Sequence, residues 1–131
     1  QNLARPVNVL TTHSSWLFAS LVLGPNGLLS GSGSVIADLQ AQLFRAVQKN
    51  DMAEAKRLNA RIEPIARVFY ADPFVDMHNR MKEALVLLGR LPRAVVRPPL
   101  MKLSDAELKR LADALRQAAI GEQGALPQAA E

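Results

Sequence analysis

Beyond Ser34 the chain is written almost entirely in helical periodicity. Ile36, Leu39, Leu43 and Val47 share one face at a spacing of three to four residues, and Leu58, Ile62, Ile65 and Phe69 make the stripe of a second helix. A third helix is predicted from about Val75 to Leu88, with Met77, Met81, Leu85 and Leu88 inward, and a fourth carries Leu108, Leu111, Leu115 and Ala118. The punctuation agrees. Asp51 with Glu54, and Ser104-Asp105-Ala106-Glu107, have the spacing of capping boxes, and Gly89 is a natural stop. Pro64 should kink the second helix, because it lacks a backbone donor and crowds the preceding turn, and Asp72-Pro73 should end it. Pro92 to Pro99 should be extended.

The first thirty residues read differently. Pro6-Val7-Asn8-Val9-Leu10 is short and β-branched and runs into the polar cluster Thr11 to Ser15, the signature of a strand entering a loop. Trp16 to Leu23 is apolar enough for a buried helix, Gly24-Pro25-Asn26-Gly27 marks a tight turn, and Leu28-Leu29-Ser30 is a second strand. Two strands joined through a helix form a βαβ unit, and the sheet it implies is parallel. A parallel strand needs neighbours on both sides, yet only two strands are predicted, so most of the sheet is expected to lie outside this sequence.

Composition narrows the class. The 131 residues are 49% hydrophobic and 21% charged, which suits one folded domain, and no apolar run approaches the roughly 18 residues that cross a bilayer. With no cysteine, neither a disulfide framework nor a thiolate metal site can be written, and a reducing, cytoplasmic setting is expected. The net charge of +4 is spread among acids, as in Glu54-Ala55-Lys56-Arg57, and few aromatics accompany it; a solvated helix surface is favoured over a nucleic-acid footprint. Gln1 to Arg5 lacks the pattern of a signal peptide and has no initiator Met, which suggests a truncated start. From Gly121 the Gly, Gln, Ala, Pro and Glu composition predicts a disordered tail.

In parallel α/β proteins the reacting groups gather where strands end. Thr11-Thr12-His13-Ser14-Ser15 and Ser30-Gly31-Ser32-Gly33-Ser34 occupy such places, and a helix amino terminus after the second offers free donors to an anion. The plainer alternatives are a helix cap, with Ser14 or Ser15 capping and His13 merely exposed, and a flexible Gly/Ser linker. His13 has no acid placed for a dyad, and His78, with Asp76 nearby, lacks a second ligand at metal spacing. No metal or cofactor is expected. Trp16 and the Met77/Met81 pair fall on apolar stripes and are assigned to packing.

An ordered series of segments then carries a resemblance: Leu23-Gly24-Pro25-Asn26-Gly27-Leu28-Leu29-Ser30, Ala53-Glu54-Ala55-Lys56, Ile62-Glu63-Pro64, Pro73-Phe74-Val75, Lys82-Glu83-Ala84, Leu88-Gly89-Arg90 and Pro98-Pro99. From about Pro6 to Ile120 the chain resembles the dihydrodipicolinate synthase and N-acetylneuraminate lyase family, class I pyruvate-type aldolases on an eight-stranded TIM barrel. The resemblance implies an α/β fold in which residues 1–50 are the last two βα units of the barrel, 51–120 a carboxyl-terminal helical extension, and 121–131 the tail. It implies a homotetramer that holds a 2-oxo acid as a Schiff base on a sixth-strand lysine preceding Gln1, so this chain would be inactive without the rest of the barrel. Lys49, Lys56, Lys82, Lys102 and Lys109 fall in helical or polar stretches, whereas a nucleophilic lysine needs a desolvated pocket.

By the same resemblance, Leu29 presents its backbone carbonyl to the pyruvyl part of the substrate, and Ser30 and Gly31 follow it into the pocket. Thr12, His13, Ser14 and Ser15 occupy the loop where relatives carry a carboxylate pair against distal hydroxyls. The absent carboxylates speak against strict dihydrodipicolinate synthase activity. Phe74 to Arg90 looks closer to members that act on 2-keto-3-deoxy sugar acids, by aldol cleavage or dehydration. The reading from another class is a small helical protein-interaction module without catalysis, in which Pro6 to Leu10 and Leu28 to Ser30 would be loops.

Overall fold

A computed structural model describes residues 5–121. Two short strands, β1 (Leu10–Thr11) and β2 (Gly27–Leu28), are joined through a 3-10 turn (Ser14–Trp16) and helix α1 (Leu17–Val22). Four helices follow: α2 (Gly33–Gln48), α3 (Met52–Phe69), α4 (Met77–Leu87) and α5 (Asp105–Gln117). The strands are parallel, with Leu10 opposite Gly27 and Thr11 opposite Leu28. β1 begins four residues later, and β2 one residue earlier, than the sequence suggests. Asn26 explains part of this: its backbone N–H donates to Val9 (2.8 Å) and its side-chain oxygen accepts from the Val9 N–H (2.8 Å), so a turn residue extends the ladder. Adjacent parallel strands are what a barrel segment requires, and what an all-helical interaction module lacks.

The core lies between α2 and α3 and is closed by α1, α4 and α5. Leu58, Ile62, Ile65 and Phe69 are each at most 1% exposed, and Leu39, Leu43, Leu111 and Leu115 pack into the same cluster. Leu17 and Leu21 are also buried, because α1 lies on α2 and α3 as well as on β1. Trp16 corrects the packing assignment: it ends the 3-10 turn 69% exposed, whereas Leu17 and Leu21 of α1 take the buried positions. The helical assignment runs unbroken through Pro64, and the irregular backbone falls instead at Ile36 (φ −123°, ψ 33°) in α2. The expected tail beyond Gly121 lies outside the described residues.

Helix ends follow local chemistry. The Asp51 carboxylate accepts from the Glu54 N–H (3.1 Å), and Ser104 with Glu107 forms a complete capping box. Gly89, at φ +67°, takes a left-handed conformation that costs a Cβ-bearing residue strain, and lets Arg90 and Gly89 donate back to Leu85 and Val86. Partial burial pushes the Glu107 carboxyl up, but hydrogen bonds from Ser104 and the Arg80 guanidinium outweigh it and hold it below the usual carboxylate range. A depressed carboxyl stabilises the fold above its unfolded value of about 4.3, and this stabilisation disappears as pH falls through the lower folded value. Glu107→Gln should therefore cost about 1–2 kcal/mol at neutral pH and flatten the acid limb of a stability-pH curve. An unchanged acid limb would refute this.

Candidate functional site

The loops that follow β1 and β2 come together at the same end of the strand pair. Ser14 from the first and Ser32 from the second are buried (2% and 0% exposed), their hydroxyls hydrogen-bonded to each other. Ser30 Oγ lies 2.9 Å from Ser32 Oγ and 3.4 Å from Ser14 Oγ. The Gln40 carboxamide on α2 reaches all three, its Nε2 3.0 Å from Ser14 and Ser30 and 2.8 Å from Ser32. This buried network joins the two loops and distinguishes them from a free Gly/Ser linker. Neither Ser14 nor Ser15 caps the following turn: the cap residue is His13, with no side-chain cap bond, because the Ser14 hydroxyl has turned inward.

His13 is held rather than merely exposed. Its ring stacks on Tyr70 at 4.2 Å and on Phe74 at 6.1 Å, its backbone sits at φ +65°, and its Nδ1 is buried without a hydrogen-bond partner among the described residues. A non-glycine residue at such a φ costs roughly 1–3 kcal/mol, which the surrounding contacts must offset. The second loop meets the same helical layer: a Cβ at Gly31 would touch Met81 (3.6 Å) and His78 (3.7 Å). Thus the segment from Tyr70 to Met81 backs both loops.

The Leu29 N–H donates to the Thr11 carbonyl (2.8 Å), while its side chain is 73% exposed. Thr12, Ser15 and Gly31 are exposed beside the network, and the hydroxyl of Thr11 turns away to Ser20 (2.6 Å). All five lysines are exposed, and Lys82 Nζ donates to the Val95 carbonyl (2.6 Å). Among the described residues no cluster of three or more His, Asp or Glu could hold a metal, and no helix is long and apolar enough to cross a membrane. Cavities of about 390 and 430 Å3 open elsewhere, between α3 and α5 and around Arg61 and Arg90, and neither includes a residue of the two loops.

Residues 7–118 match the dihydrodipicolinate synthetase family. The chain belongs to that family. It is 33% identical, over 83% of its length, to YagE of Escherichia coli K12, a candidate 2-dehydro-3-deoxy-D-gluconate aldolase. It is 29% identical, over 76%, to the 4-hydroxy-tetrahydrodipicolinate synthase of Thermodesulfovibrio yellowstonii. These matches cover 35% and 33% of the relatives, so the chain spans about a third of their length. Among solved structures, YagE in complex with pyruvate superposes with a TM-score of 0.74 at 29% identity, covering 86% of this chain and 37% of that one. The dihydrodipicolinate synthase of Bacteroides thetaiotaomicron gives 0.73 at 25% identity, covering 83% and 37%. Dihydrodipicolinate synthetase family members are lyases and aldolases on TIM barrels, and two parallel strands followed by helices are consistent with part of one.

Sequence reasoning overlooked Gln40, Tyr70 and Arg80. Gln40 carried a usable signal, a carboxamide on the core face defined by Ile36, Leu39 and Leu43. Tyr70 and Arg80 carried none, since Tyr70 depends on how the end of α3 meets His13, and Arg80 on how α4 meets the end of α3 and Glu107 of α5.

Proposed function

We propose that this chain is the carboxyl-terminal part of a Schiff-base-forming lyase acting on a 2-oxo acid, with a 2-keto-3-deoxy sugar acid as the preferred class. On this reading β1 and β2 are the last two barrel strands, residues 51–120 form a helical extension, and the reactive lysine belongs to a strand outside this sequence. Leu29, Ser30 and Gly31 line the pyruvyl end of the pocket, and Thr12, His13, Ser14 and Ser15 the distal end. The whole protein is then a cytoplasmic homotetramer, and this chain alone is inactive.

The observation that supports the reading best is the joining of two post-strand loops by the serine and glutamine network, in a chain that matches the family over residues 7–118. Exposure of every lysine agrees with a nucleophile elsewhere, because a nucleophilic lysine needs a desolvated pocket. His13, stacked on Tyr70 where relatives carry acids, suits a ligand end that is itself anionic or rich in hydroxyls. Treatment of the whole protein with pyruvate and borohydride should leave one reduced adduct, on a lysine other than the five named here. No adduct on any lysine removes the mechanism, and an adduct on one of the five removes the proposed division of the chain. Product analysis with 2-keto-3-deoxy acids separates aldol cleavage from dehydration.

A further inference from the structure

The carboxamide of Gln40 is 1% exposed and meets three hydroxyls at hydrogen-bond distance through one atom, Nε2. An amide nitrogen donates two hydrogens and accepts none, so the serine oxygens are its acceptors. Its other atom, Oε1, faces away toward Gly33, where an added Cβ would come within 3.2 Å of it. Each hydroxyl still has one hydrogen to give. Ser14 and Ser32 are sealed, Ser30 is half-buried, and the Ser14 to Ser30 separation of 3.4 Å is the loosest of the three. Either oxygen of each pair can donate, and because Ser14 and Ser32 are paired only within the cluster, the order that places every sealed hydrogen on a close contact runs Ser14 to Ser32 to Ser30. With the two hydrogens of Gln40 shared among the three serine oxygens, the hydroxyl hydrogen left over is that of Ser30, directed toward the loop surface, and each donation strengthens the next.

We propose that Gln40 is a positioning residue that turns the Ser30 hydroxyl into a hydrogen-bond donor toward bound ligand, so that this point takes an acceptor, a carboxylate or keto oxygen. The inference rests on the reading of the two loops as the 2-oxo acid site. It goes beyond placing Ser30 near the ligand: it fixes the direction of the bond and assigns the cause to a residue that never touches the ligand.

The test uses the whole protein and pyruvate, and reads the pyruvate concentration at which borohydride trapping of the lysine adduct is half-maximal. Gln40→Met keeps length and removes the donor, Ser30→Ala removes the hydroxyl, and each should raise the half-saturating concentration about 3- to 10-fold. Because both remove one bond, the double variant should be no worse than the weaker single one. Ser30→Thr, which retains the hydroxyl, should stay near wild type, and this half-buried position keeps the test available if the Gln40 variants do not fold. Wild-type half-saturation in Gln40→Met or Ser30→Ala, or effects of Gln40→Met and Ser30→Ala that multiply, overturns the proposal while the Schiff-base reading stands. Absence of any adduct in the wild type overturns both.

Discussion

Replacing Arg80 with methionine should cost the whole protein about 3–5 kcal/mol of folding stability and loosen the site as well. The side chain is 2% exposed, and its guanidinium donates to the carbonyls of Ala71 (2.7 Å), Asp72 (3.3 Å), Pro73 (3.3 Å) and Phe69 (3.4 Å) and to Glu107 (3.3 Å). Those carbonyls lie at and just after the end of α3, where backbone acceptors have no helical partner, so removing the donor leaves several partly buried oxygens unpaired. Methionine fills much of the volume but none of the bonds. Arg80→Lys should recover little, because a point ammonium cannot satisfy four carbonyls that a planar fork spans. The segment being held contains Tyr70 and leads into Phe74, the two rings that stack with His13. Denaturant titration reads the stability, and pyruvate trapping reads the site. A loss below 1 kcal/mol would mean that solvent replaces the guanidinium without penalty.

The contrast between Arg80 and the apolar stripes explains how much the sequence disclosed. Leu58, Ile62, Ile65 and Phe69 are fully buried because a periodicity of three to four residues forces one face of α3 inward whatever it meets. The capping box at Ser104 and the stop at Gly89 are local, decided within four or five residues, and both are present. Parallel pairing was legible too, since a helix between two short apolar runs permits little else. Strand limits were less so. A ladder ends where its partner ends, and Asn26 pairs with Val9 through atoms that no pattern of apolar residues reveals.

The site was legible at its loops and hidden behind them. Ser14 and Ser30 lie where the end of a parallel strand puts candidate residues, but the hydrogen bonds binding them to Gln40 span 26 and 10 positions, and the His13 contact to Tyr70 spans 57. Such pairings depend on α2, α3 and α4 packing together first. Trp16 lies outside the core for the related reason that periodicity names a face but not what that face meets.

Leu10 offers the sharpest test of what lies beyond this chain. It sits in β1 with 53% of its surface exposed, and Val7 (46%) and Val9 (42%) precede it. Taken at face value, such a position tolerates substitution within about 0.5 kcal/mol. If β1 is a barrel strand flanked by others, Leu10 is covered in the whole protein, and a fully buried leucine contributes roughly 1.5–3 kcal/mol. Leu10→Asp would then lose that burial and place a carboxylate among apolar groups, so the total cost should exceed about 3 kcal/mol. Leu23→Asp is the matched control. Leu23 is 87% exposed at the end of α1, where the barrel reading places the turn into the next strand, and it should cost far less. Equal and small losses at both positions, measured by denaturant titration of the whole protein, would show that nothing covers β1 and that the two strands do not continue into a closed sheet.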